Sequence, residues 1–207
     1  MNRKLGILCM VLGMILMLGA GLLYINNCRE DIIAQESSKD TLSVLAQQLQ
    51  DDANGSSEKT LALQKPVELL TEEEKKMTEV TIDGIAYIGY LSIPSLELEL
   101  PITADWSYQL LKKSPCRYYG TVRGEDLVLM AHNYSSHFGK ISQLDSGNSV
   151  IFTDMDGEVT YYEVVGKDVL DPTSVEEFTS GDFDLTLFTC TYGGEYRVTV
   201  FCDKLDA

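Results

Sequence analysis

From Leu5 to Ile25 the chain runs without a single charged residue. At about 1.5 Å per helical residue, such a run spans roughly the 30 Å hydrocarbon core of a bilayer, so it predicts one membrane-crossing helix. Polar and acidic residues take over from 27 to about 80. Within that stretch Leu42, Leu45 and Leu49, and later Leu61, Leu63, Val67 and Leu70, fall at loose helical spacing on either side of Asn54-Gly55-Ser56-Ser57. This pattern predicts a stalk of short helices flanking a flexible break. Beyond Val80 the texture changes to short β-rich runs separated by turn residues, at 86–93, 96–101, 126–132, 149–153, 159–170, 185–191 and 196–205. Leu96-Glu97-Leu98-Glu99-Leu100 alternates strictly, as a strand with one wet face should. Strands at this spacing predict a mostly β fold, a closed or nearly closed barrel with short helices. The expected organisation is an anchor over 1–26, a stalk over 27–80 and one β-barrel domain over 81–207.

Charge orients this plan. Arg3 and Lys4 precede the apolar run and Arg29, Glu30 and Asp31 follow it, so the positive-inside bias keeps the N-terminus in the cytoplasm. A single-pass protein of the cell membrane with its β domain outside is the expectation. A cleaved signal peptide would have an apolar stretch of about 7–15 residues ending at an A-x-A-like site, and this run has neither feature. The formal net charge of −16, from 16 basic against 32 acidic residues, argues against nucleic acid as a partner. Five cysteines occur without a C-x-x-C pair, so no structural zinc site is expected, and no other metal or cofactor is suggested.

The segment most informative about chemistry is Leu185-Thr-Leu-Phe-Thr-Cys190-Thr-Tyr-Gly193-Gly194-Glu-Tyr-Arg197-Val-Thr-Val. Two glycines between β-type runs predict a tight hairpin, because both central positions can then take positive φ. Counting outward from the turn pairs Thr191 with Tyr196 and Cys190 with Arg197. Strand parity sends Leu185 and Leu187 to one face, the candidate core, and Cys190 and Arg197 to the other. A permanent cation beside a thiol favours thiolate. Of the two histidines, His132 ends an apolar run, Asp126-Leu-Val-Leu-Met-Ala131, where a strand gives way to a loop, while His137 falls within that loop. Cysteine, histidine and arginine together make an acyl-transfer set: nucleophile, proton carrier and oxyanion partner.

Thr186-Leu187-Phe188-Thr189-Cys190 resembles the TLxTC signature of the sortases, with Arg197 on the next strand and His132 upstream in the family's order. Gly89-Tyr-Leu-Ser-Ile93-Pro94 and Leu98-Glu-Leu-Pro101-Ile102 resemble the opening strands of that β-barrel. The stretch His132-Asn133 with His137-Phe138-Gly139-Lys140-Ile141 looks like class B, but the interval from His132 to Cys190 is too short for the long helical insertion of that class. The resemblance implies a Gram-positive transpeptidase that cleaves an LPxTG-like sorting motif through a thioacyl intermediate on Cys190. It also implies catalytic roles for His132, Cys190 and Arg197, and substrate contacts from Thr189 and Asn133. The implied partners are a surface protein or pilin bearing the sorting signal, and an amine acceptor from a peptidoglycan precursor or a pilin lysine.

Two other readings use the same residues. Water could resolve the acyl-enzyme, making a cysteine hydrolase, although papain-like enzymes carry cysteine before histidine and no caspase-type Q-A-C-x-G is present. Alternatively the domain is a non-catalytic tethered β module, with Cys190 inert or bridged to Cys116 or Cys202.

Overall fold

The computed structural model describes residues 3–55, 70–71 and 73–205. It opens with one helix, α1 (Arg3–Gly55), of 53 residues, about 80 Å long. Its first part is long and apolar enough to cross a membrane, and none of that stretch is covered by the rest of the protein. The helix does not stop where the apolar run does. No glycine or proline interrupts residues 22–53, so nothing in the backbone chemistry breaks the ladder there. Ala34, Ser38 and Leu45 are sealed from solvent along one side, the three- to four-residue spacing of a helix docked on a surface. The polar stretch thus begins as a continuation of the apolar helix, which includes Asn54 and Gly55; Ser56 and Ser57 of the expected break lie outside the described residues. A second helix expected around Leu61, Leu63 and Val67 lies outside the described residues.

The domain is the expected closed barrel. Strand β1 (Val80–Ile82) turns through Asp83 and Gly84 into β2 (Ile85–Ile93). From β2 the sheet runs to β3 (Leu98–Thr103), β4 (Cys116–Tyr119) and β5 (Leu127–Ala131), then to β8 (Leu185–Cys190), β9 (Arg197–Lys204), β7 (Val159–Leu170) and β6 (Ser149–Asp154). Pairing of β2 with β6 closes an eight-stranded ring, with β1 attached at its margin. Most neighbours are antiparallel, while β3–β4 and β5–β8 are parallel. Closure depends on Gly89. Its φ is +148°, and a Cβ there would lie 2.1 Å from the Thr153 carbonyl oxygen, a spacing no side chain tolerates, so the two closing strands approach only because this residue has none.

Alternate residues fill the interior: Leu127, Leu129 and Ala131 of β5, Leu185 and Leu187 of β8, and Val200 and Cys202 of β9 share one core with Phe138 and Ile141. The opposite parity, Val128 and Met130 of β5 and Phe188 of β8, faces outward beneath Phe178 of the short helix α3 (Val175–Thr179). A second, smaller core joins α1 to the β1–β2 hairpin through Leu45, Tyr87 and Met155.

Two details differ from the expected pattern. Leu96 and Glu97 belong to no strand: Pro94–Leu96 forms a 3₁₀ turn capped by Glu97 in the left-handed region, φ 52°, so the alternation is real only from Leu98 onward. Strand β4 was not anticipated, because Cys116-Arg-Tyr-Tyr is too short to show a period of two before Gly120 ends it.

Candidate active site

Local strand geometry assembles the site. On the β8–β9 hairpin Cys190 is paired with Arg197, as the count from the glycines requires. The turn itself is wider than a two-residue one. Thr191 N–H donates to Tyr196 O at 2.9 Å and Gly194 N–H to Thr191 O at 2.9 Å, while the Thr191 hydroxyl accepts from Tyr196 N–H at 3.1 Å. Gly193 and Gly194 take φ values of 93° and 81°, the conformation for which glycine was needed. Arg197 Nη1 donates to Gly194 O at 3.0 Å and to Tyr196 O at 3.1 Å. The turn carbonyls therefore fix the guanidinium while leaving its Nε and Nη2 donors for other partners.

On the other side of Cys190 lies β5, parallel to β8 with Ala131 opposite Thr189. Extending that register by one residue brings His132 opposite Cys190. The Thr189 hydroxyl donates to Ala131 O at 2.8 Å, which pins the two strands one residue before the functional pair. By parity Cys190 and Arg197 project from the outer face, and His132 is the first residue past the end of β5, two positions after the outward-facing Met130. Cys190 is half-buried, and all five cysteines are free thiols. Burial of the His132 ring is the main cause lowering its pKa below the usual imidazole value. The Lys112 ammonium pushes it the same way, and Glu30 opposes both.

The expected substrate contacts divide. Asn133 is half-buried beside His132. Thr189 is sealed on the inner parity, with its hydroxyl occupied by Ala131. Sequence reasoning missed the surroundings of His132. Tyr134 lies against the imidazole with ring centroids 4.9 Å apart, and His137 lies 5.5 Å beyond Tyr134. The tyrosine hydroxyl donates to Glu30 Oε2 of α1 at 3.1 Å. The available signal was the α1 stripe of Glu30, Ala34 and Ser38 at helical spacing, but it carries no chemistry of its own.

Away from Cys190 the outer face continues as an aromatic surface. Phe188 stacks on Phe178 at 4.9 Å and meets the edge of Tyr118 at 5.3 Å, and Trp106 stands 6.2 Å from Tyr118. No group of three or more candidate metal ligands is gathered among the described residues.

A closed eight-stranded barrel with a half-buried free thiol paired with a guanidinium on its outer face defines a barrel-scaffolded thiol protein. The model of the sortase domain matches residues 91–205, more than half of the chain, and the chain belongs to the sortase family. Among solved structures it is similar to sortase A from Corynebacterium diphtheriae, with a TM-score of 0.55 and 22% identity over 59% of this chain. It covers 62% of that structure's chain, less than two thirds of it. It is similar to sortase C1 from Streptococcus suis, with a TM-score of 0.52 and 29% identity over 58% of this chain and 74% of that one. The sortase C from Clostridium perfringens SM101 aligns over 83% of this chain and 91% of its own, with a TM-score of 0.51 and 25% identity. No curated protein matches the chain.

Proposed function

We propose that this chain is a membrane-anchored cysteine transpeptidase that cleaves an LPxTG-like sorting motif and passes the acyl group to an amine of a cell-wall precursor or a pilin. The observation that supports the reading is the strand register, which pairs Cys190 with Arg197 and Ala131 with Thr189, one residue before His132 and Cys190. Cys190 Sγ attacks the scissile carbonyl, forming a C–S bond while the carbonyl π electrons move to oxygen. The Arg197 fork, already oriented by its turn carbonyls, meets the developing oxyanion. His132 gives a proton to the leaving amine as the C–N bond breaks, then takes one from the incoming amine that displaces the thiolate. Asn133, beside His132, is our candidate for a substrate contact. Thr189, whose hydroxyl donates to Ala131 O, supports the site by fixing the β5–β8 register and remains a second candidate at the border of the substrate groove. The exposed edges of Trp106 and Tyr118 suit an extended peptide with apolar side chains.

The anchor reading rests on the apolar part of α1, with Arg3 and Lys4 keeping the N-terminus cytoplasmic and residues 27 onward outside, in the manner of a Gram-positive surface enzyme. The three-part division at 26 and 80 becomes an anchor helix that overlaps the second segment and a catalytic barrel that starts with β1. The test is intact-mass spectrometry of the full chain in detergent micelles, mixed with LPxTG-like and NPQTN-like peptides, with and without an added amine. The expected result is a mass adduct on Cys190 that disappears when the amine is added, as ligated peptide appears. Adducts resolved equally fast without amine would favour hydrolysis, and a Cys190 inert to peptides and to small thiol reagents would leave only a tethered binding module.

A further inference from the structure

The loop that carries His132 is held on its far side by the anchor helix and not by the barrel alone. Its backbone closes on itself, with Phe138 N–H donating to His132 O at 3.2 Å and Gly139 N–H to Tyr134 O at 2.9 Å. Its side chains are held from α1. Glu30 Oε2 accepts from the Tyr134 hydroxyl at 3.1 Å, and Asp31 Oδ1 accepts from Ser136 N–H at 2.9 Å and from the Ser136 hydroxyl. The Ser136 hydroxyl also reaches Asp31 O at 3.1 Å. One helical turn further, Ala34 is fully buried, and at Ser38 a hydroxyl donates to Lys113 O at 3.2 Å. Small residues let the helix come this close. Tyr134, so tethered, presents its ring to the imidazole of His132 at 4.9 Å.

Building on the proposed transpeptidase site, we propose that Glu30 is a positioning residue for His132, acting through Tyr134, so that the first extracellular turns of the anchor helix are a working part of the active site. The hydrogen bond fixes where the tyrosine ring stands and hence which imidazole rotamer it supports. The carboxylate also bears on the ring electrostatically, since a negative charge nearby favours imidazolium. The charged and titratable groups that bear on His132 are Glu30 from α1, Lys112 after the short helix α2 (Tyr108–Leu111) and His137 on the same loop. Only Glu30 among the three opposes the depression that burial imposes. Ile25, the last residue of the apolar run, is little more than one helical turn before Glu30, so the membrane's edge and the histidine are joined by continuous helix.

The experiment uses the full chain in detergent micelles and compares Glu30→Gln, Tyr134→Phe and, as a control for charge on the exposed side of the same helix, Glu36→Gln. Two readouts are taken: the imidazole C–H titration of His132 by NMR, and the pH profile of kcat/KM. In Glu30→Gln the His132 titration and the acid limb of the profile should both move to lower pH. The kcat should fall on the order of 10-fold with little change in KM. Tyr134→Phe keeps the ring and loses only its tether, so it should lower kcat in the same way. Glu36→Gln should match the parent. A His132 titration in Glu30→Gln that overlays the parent's overturns the proposal, as does an equal shift from Glu36→Gln. Because the titration needs no turnover, a shifted His132 in a protein that ligates no peptide would sustain the positioning role while removing the transpeptidase reading.

Discussion

The barrel carries thiols and imidazoles both near its outer face and sealed inside. Cys190 and Cys202 belong to the same hairpin, yet Cys190 projects outward beside Arg197 while Cys202 is wholly buried in the barrel core. Burial pushes the Cys202 thiol well above its usual pKa and pushes Cys116 up to about 11. His132 and His137 repeat the contrast on one loop. His132 is half-exposed, and His137 is 0% exposed. Residue type therefore says little here about chemistry, and strand parity and depth decide it. A thiol in the core is a small apolar side chain, whereas a thiol at the outer parity beside a fixed cation is the candidate nucleophile.

The sharpest way to break this contrast is to exchange which thiol is missing. Cys190→Ala should abolish both the peptide adduct and turnover while leaving the thermal midpoint within about a degree, since it removes the nucleophile from a half-exposed position. Cys202→Ala should do the reverse, keeping turnover and losing roughly 1–2 kcal/mol of stability by leaving space in the core. Adduct formation in Cys190→Ala would move the nucleophile elsewhere and end the argument from parity. Next in size is Arg197→Lys. The charge survives, but the planar fork that Gly194 O and Tyr196 O hold does not. A loss of about 100-fold in kcat, near 2.7 kcal/mol, is expected from misplacing an oxyanion donor. Kinetics close to the parent's would reduce Arg197 to a generic cation.

How much of this was legible beforehand follows from the range of each interaction. The β8–β9 hairpin was readable because register and parity are local: the glycines set the turn, and the alternation of Leu185 and Leu187 with Cys190 sets the face. His132 was reachable because an apolar run ending in a histidine reads as a strand ending at a site. The continuity of α1 past the apolar run was less legible, because a polar composition suggests a stalk of separate short helices. Helical continuity depends only on the absence of breakers, and docking depends on which residues lie opposite. Glu30, Asp31 and Ser38 are ordinary surface residues until the barrel supplies Tyr134, Ser136 and Lys113 as partners, far away along the chain. The Leu96–Glu97 alternation misled for the opposite reason, a local pattern overruled by a proline-initiated turn.

The smallest expected effect tests the second half of the contrast, the sealed imidazole. Neither ring nitrogen of His137 has a hydrogen-bond partner of good geometry among the described residues, and the Lys113 carbonyl offers only a weak pull toward the charged form. Burial, helped by the charge of His132, lowers its pKa from 6.5 to about 4, against the opposing pull of Asp31. The unfolded chain therefore takes up this proton at a higher pH than the folded one. The stability linked to His137 is complete above pH 6.5 and is lost as the pH falls towards 4, by up to about 3 kcal/mol. His132, depressed in the same direction, steepens that limb. Asp154, whose carboxyl burial raises, works against it. His137→Phe keeps the ring against Tyr134 but cannot take a proton. Its urea-unfolding free energy should match or exceed the parent's at pH 7, because two unpartnered polar atoms leave the core, and should fall less between pH 6.5 and 4.5. Equal slopes in the two proteins would mean that His137 finds a proton-accepting partner on acidification and that depth alone does not silence it.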